Sequence, residues 1–106
     1  MSLTGKVQAE GMSVYIIAQI RIDDRERYAT YEAGFMEVFQ QYGGTMLSVD
    51  DNPETLEGQW QHTRSVLIQF PDRDAALAWY HSDAYQTLAQ HRYDASHGDI
   101  ILVKGF

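Results

Sequence analysis

The chain contains no cysteine, which removes disulfide frameworks, thiolate metal sites and thiol nucleophiles in one step. It is also short of positive charge: eight Lys and Arg stand against fifteen Asp and Glu, for a net charge of −7. Such a balance speaks against nucleic acid, whose phosphates call for clustered cations, and against anionic membrane surfaces. Only two prolines interrupt it, and no apolar run approaches the roughly 18 residues of a membrane span. The opening "MSLTGKVQAEG" lacks the apolar stretch of a secretory signal. Residues 1–11 read as a flexible arm or cloning remnant, with Met12 a candidate start, 12–106 as one domain, and the cytoplasm as its location.

Histidine is present four times, at His62, His81, His91 and His97, but never at metal-ligand spacing. GxSxG is missing, and so are phosphate-cradling glycines; "YGGT" closes a helix, the wrong end for an anion. No metal and no cofactor is therefore expected.

What is present is clear periodicity. "VYIIAQIRI" (14–22) alternates, with Val14, Ile16, Ala18, Ile20 and Ile22 on one face and Tyr15, Ile17, Gln19 and Arg21 on the other, which predicts a strand. Asp23 or Asp24 caps a following helix whose stripe of Tyr28, Tyr31, Phe35, Val38, Phe39 and Tyr42 spans roughly 100°. Gly43 or Gly44 ends it. "TMLSVDD" (45–51) predicts a strand with Leu47 and Val49 opposite Met46 and Ser48. A turn-rich loop over 52–59 leads to another strand over 62–70. "PDRDAALAWYHSDAYQTLAQHRYDASHG" reads as two helical pieces, capped by Asp72 and Ser82 and closed by Gly98, before a last strand from Asp99.

The order β-α-β-β-α-β is that of a ferredoxin-like α+β sandwich, a four-stranded antiparallel sheet with both helices on one face. The other face would carry Tyr15, Ile17, Gln19, Ser65, Leu67, Ile101 and Val103, too apolar to leave in water. A second copy packed sheet to sheet covers it most economically, which predicts a homodimer.

"YATYEAGFMEVFQQYGGTML", "EGQWQHTRSVLIQFPDRDAALAWYHSDAYQTLAQHR" and "GDIILVKG" resemble the small bacterial proteins grouped as domain of unknown function 1330, in the dimeric α+β-barrel superfamily. The resemblance runs from Ser13 to Gly105. Gly43-Gly44, Glu57-Gly58, Arg64, Phe70-Pro71, Trp79-Tyr80-x-Ser82 and Tyr85 carry it. It implies the barrel fold and the dimer, and no reaction. More distant members of the superfamily include cofactor-free monooxygenases, haem-degrading enzymes, lactone isomerases and ligand-binding regulatory domains.

Several side chains could carry chemistry. Trp79, Tyr80, His81 and Tyr85 could wall a pocket in which a hydroxyl or imidazole orients a ligand; the plainer account makes Trp79 core and leaves Tyr80 and His81 partly exposed. His81 and Tyr80 are the catalytic candidates, with His62 a further general base by its chemistry. Arg64 and Arg92 lie among apolar neighbours, so each must snorkel, pair with a carboxylate or receive an anion. Glu57 is a nearby partner for Arg64, as a structural clamp or part of a binding site. Tyr15 would line the barrel interior. Three readings remain: an enzyme without a prosthetic group acting on a small anionic or aromatic metabolite, a non-catalytic ligand-binding or regulatory module, and a purely structural dimer.

Overall fold

The computed structural model describes residues 13–106; the arm expected over 1–11 and the start at Met12 lie outside the described residues. Four strands, β1 (Val14–Ile22), β2 (Thr45–Asp50), β3 (Arg64–Phe70) and β4 (Ser96–Lys104), form one antiparallel sheet in the order β2-β3-β1-β4. Three helices, α1 (Arg25–Phe39), α2 (Arg73–Tyr80) and α3 (Asp83–Ala95), supply the second layer. This is the ferredoxin-like α+β sandwich, its second helix broken in two as Ser82 predicts. No helix among the described residues is long and apolar enough to cross a membrane.

Alternation in β1 sorts the sheet into two faces. Val14, Ile16, Ala18, Ile20 and Ile22 are buried against the helices. On the opposite face Ile17 stands between Leu67 and Ile101, and Tyr15 between Gln69 and Val103. Ile101 there is 53% exposed, an apolar side chain without cover.

Caps set the helix starts. Asp24 accepts a hydrogen bond from the Arg27 N–H at 3.0 Å, and Asp72 accepts one from Ala75 at 2.8 Å. Ser82 does two jobs at the break: its Oγ accepts from the Tyr85 N–H at 3.0 Å and donates to the Trp79 carbonyl at 2.8 Å. The first helix closes through a 3-10 turn, Gln40–Tyr42, with Gly43 at φ 78°. Only glycine takes that conformation without strain.

Three local expectations change. The strand over 45–51 does not alternate throughout, because a register shift between Met46 and Ser48 makes Leu47 an extra residue. Met46 then pairs with Ile68 and Val49 with Val66, so both face the helices. The strand expected from His62 begins two residues later, at Arg64. Gly98 does not end the last helix; it lies within β4 opposite Ile20. The helix stops at Ala95 because its carbonyl accepts from the Asp23 and Asp24 N–H groups, while Ser96 Oγ donates to the Arg92 carbonyl. Two of the orphan acceptors of the last turn, the Arg92 and Ala95 carbonyls, are thus satisfied without a glycine.

Candidate functional site

Between the helix-facing side of the sheet and α1 and α3 lies a cavity of about 190 Å3. Its floor is aliphatic, with Ile16, Ala18 and Ile20 of β1 and Ile68 of β3. Its walls are aromatic. Trp79 packs edge-on against Phe35 and Phe39 and lies 4.2 Å, centroid to centroid, from Tyr85. Trp79 and Tyr85 are 3% and 1% exposed, so both are core residues as well as cavity walls.

Into this apolar setting the chain places hydrogen-bond donors. The hydroxyls of Tyr31 on α1 and Tyr85 on α3 meet at 2.7 Å inside the protein. Burial pushes the Tyr31 hydroxyl well above its ordinary pKa, and the neighbouring Tyr85 pushes it further, so it stays protonated. Trp79 Nε1 is buried without an acceptor.

Arg92, from the last turn of α3, lines the same cavity at 5% exposure. Its guanidinium lies over the rings of Tyr93, at 4.8 Å, and Tyr31, at 5.8 Å. Its Nε has no hydrogen-bond partner, and among the described residues no carboxylate forms an ion pair with it. Burial works against its charge, but Tyr85 and Tyr31 outweigh that and hold its pKa above the ordinary guanidinium value.

Arg64 is handled differently. It is also buried in the cavity wall, but its NH1 donates to Glu32 Oε2 and its Nε to Asp51 Oδ1 at 2.6 Å, with NH2 reaching Asp51 Oδ2 at 3.2 Å. These hydrogen bonds, Asp51 first, hold Arg64 above its ordinary pKa against burial. The guanidinium also stands 5.2 Å over the Tyr28 ring. Glu57, the partner expected from sequence, is exposed in the β2–β3 loop; Asp51 and Glu32 hold the cation instead because a strand end and a helix face present them at fixed positions.

Of the residues singled out from sequence, Trp79, Tyr85, Arg64 and Arg92 converge on the cavity. Tyr80 is half-buried behind it, its ring 5.7 Å from that of Tyr85 and its carbonyl accepting from Gln86 Nε2. His81 is exposed at the end of α2, where its N–H bonds to the Leu77 carbonyl. Tyr15 belongs to the other face of the sheet. His62 Nδ1 is buried without a partner, 4.9 Å ring to ring from Trp60 and away from the cavity lining. Tyr28, Tyr31 and Glu32 belong to the site without having been picked as site residues. The available signal was the hydroxyls on the first helix stripe, where a purely structural stripe would carry Phe. Among the described residues no group of three or more His, Asp or Glu is placed to hold a metal ion.

Solved structures with the same fold are plentiful but distant in sequence. The RPA0582 protein of Rhodopseudomonas palustris, itself of unknown function, superposes with a TM-score of 0.75 at 18% identity, covering 97% of this chain and 94% of that one. SnoaB of Streptomyces nogalater, a cofactor-independent oxygenase, gives 0.64 at 14% identity, covering 89% and 93%. A Nitrosomonas europaea protein provisionally assigned as an antibiotic biosynthesis monooxygenase gives 0.59 at 16%, covering 91% and 92%. At these identities the likeness is one of fold, the ferredoxin-like α+β sandwich. No curated protein matches. The family described as "Domain of unknown function (DUF1330)" matches residues 13–106, the whole described domain, and the chain belongs to that family.

Proposed function

We propose that the protein binds a small anionic or aromatic metabolite in the cavity between sheet and helices and, without a prosthetic group, stabilises the negative charge of its enolate or phenolate form. The observation that carries this is Arg92, a buried cation in an apolar cavity with no carboxylate partner among the described residues. A buried structural arginine is normally paired with a carboxylate, since breaking such a pair costs several kcal/mol (~3–5). Here the Tyr31 and Tyr93 rings and the Tyr85 hydroxyl offset the burial but bring no counter-charge. An anionic guest would complete the site. Trp79 Nε1 and the Tyr31–Tyr85 pair offer further donors and no competing negative charge. Preorganised donors in a water-poor site are what stabilises developing anionic charge most effectively.

Fold likeness to a cofactor-independent oxygenase supports chemistry of this type by analogy alone. A second reading, a binding module without turnover, is favoured by one observation: among the described residues Glu32 is the only carboxylate lining the cavity, it is tied to Arg64, and no histidine lines it. An enzyme built this way would act on substrates acidic enough to ionise with little help. The working unit in this proposal is a cytoplasmic homodimer, joined through the face that carries Tyr15, Ile17, Leu67 and Ile101.

The test is Arg92→Met. Hydrophobic replacement of a buried charge is often neutral or stabilising, so the melting temperature should hold within a few degrees while anion binding disappears. Unchanged binding of aromatic acids by that variant overturns the proposal. Oxygen uptake or product formation by the wild type, lost in Tyr85→Phe and Arg92→Met, would decide for an enzyme over a binder.

A further inference from the structure

The cavity also constrains which anion fits. Resting on the proposed function, we infer that its ligand is a single-ring monoanion, with the acid group inward at Arg92 and an uncharged or cationic end at the mouth.

Size comes first. Drug-sized ligands occupy pockets of about 300–1,000 Å3, well above the 190 Å3 here. A closed apolar cavity of about 150 Å3 accepts benzene. The remaining ~40 Å3 is close to the ~30 Å3 share of one water, room for one carboxylate-sized substituent. Three fused rings exceed that volume and would have to reach out past the mouth.

Charge gives the orientation. The inner end holds Arg92, Trp79 and Tyr85, each at most 5% exposed, with Arg92 Nε and Trp79 Nε1 unpartnered. The outer end opens between α1 and β2, where Met36 and Val49 are about half exposed (43% and 48%). There Glu32 and Asp51 share the cation Arg64 and occupy its hydrogen-bond donors. Arg25 also acts on Asp51; Arg25, Glu32 and Asp51 are all exposed, so solvent and salt weaken their fields alike. A second acid group at the far end of a ring would therefore meet two carboxylates and an arginine already occupied by them.

Calorimetric titration of the wild-type chain with benzoate, benzyl alcohol, terephthalate and 9-anthracenecarboxylate tests this. Benzoate should bind at least tenfold more tightly than each of the other three. Arg92→Met should erase its advantage over benzyl alcohol, and Glu32→Gln should narrow the gap between benzoate and terephthalate several-fold. Asp51→Asn removes the other carboxylate and serves if Glu32→Gln melts early. Terephthalate or the anthracene acid binding as tightly as benzoate, with affinity still lost in Arg92→Met, overturns the single-ring monoanion while the anion-binding cavity stands. No binding of any of the four by the wild type overturns both.

Discussion

The hydroxyls of Tyr31 and Tyr85, 54 residues apart in the chain, meet at 2.7 Å between two helices, at a point from which solvent is excluded. One hydroxyl donates to the other, which leaves one O–H of the pair able to donate elsewhere. Replacing one with Phe leaves the other hydroxyl short of its partner, at a cost of about 1–3 kcal/mol. The double variant Tyr31→Phe/Tyr85→Phe should cost less than the two singles together. Urea unfolding of the four proteins gives the coupling directly; strict additivity would mean that the two hydroxyls do not rely on each other.

Acid should loosen the mouth of the cavity. The Arg64 hydrogen bond is the main cause of the lowered pKa of Asp51, below its ordinary 3.8, against some burial. A carboxyl depressed in the folded state contributes stability above its unfolded pKa and loses it as pH falls through the folded value. Stability should therefore show no contribution from this pair to its slope above about pH 5, with the loss starting near 3.8 and continuing below it. Asp51→Asn should flatten that part of the curve. The side chain is 50% exposed, so solvent screening keeps the contribution below about 1 kcal/mol. Denaturant midpoints measured from pH 6 down to pH 2.5 on both proteins make the comparison.

Ser82 joins two helices and caps one of them. Ser82→Ala removes the acceptor for the Tyr85 N–H together with the donor to the Trp79 carbonyl. The expected cost is about 1 kcal/mol, or roughly 4–8 °C in a domain near this size. Ser82→Asp keeps an acceptor at the cap and should recover most of that loss in a thermal melt.

Assembly can be tested on the far side of the sheet. Ile101→Glu places a charge beside Ile17, where an apolar partner surface is proposed. Sedimentation should show the wild type as a dimer and the variant as a monomer, with the secondary structure of the monomer unchanged by circular dichroism. A monomeric wild type would remove the proposed partner.

The frame of the fold was legible because short-range patterns encode it. Period two in β1, the aromatic stripe of α1, and the Asp72 and Ser82 caps each act within a few residues, so the sequence displays them. The bulge at Leu47 was not, since an extra residue in a strand is defined only by the strand opposite. Arg64 could be recognised as a cation needing partners, but Glu57 is near it in sequence and Asp51 and Glu32 are near it in space. The site was half legible for the same reason. Trp79, Tyr85, Arg64 and Arg92 could be named one at a time; their meeting with Tyr31 beneath the helices follows from how α1 and α3 lie side by side on the sheet.

The alternation of β1 reaches beyond packing. Even-numbered residues Ile16, Ala18 and Ile20 floor the cavity, while odd-numbered Tyr15, Ile17 and Gln19 face the opposite surface. One nine-residue strand therefore carries two separate inheritances. On the proposed function, changes at even positions would retune the ligand and changes at odd positions the proposed partner surface, each with little consequence for the other. Relatives could drift in ligand while keeping one partner, or change partner around an unaltered pocket.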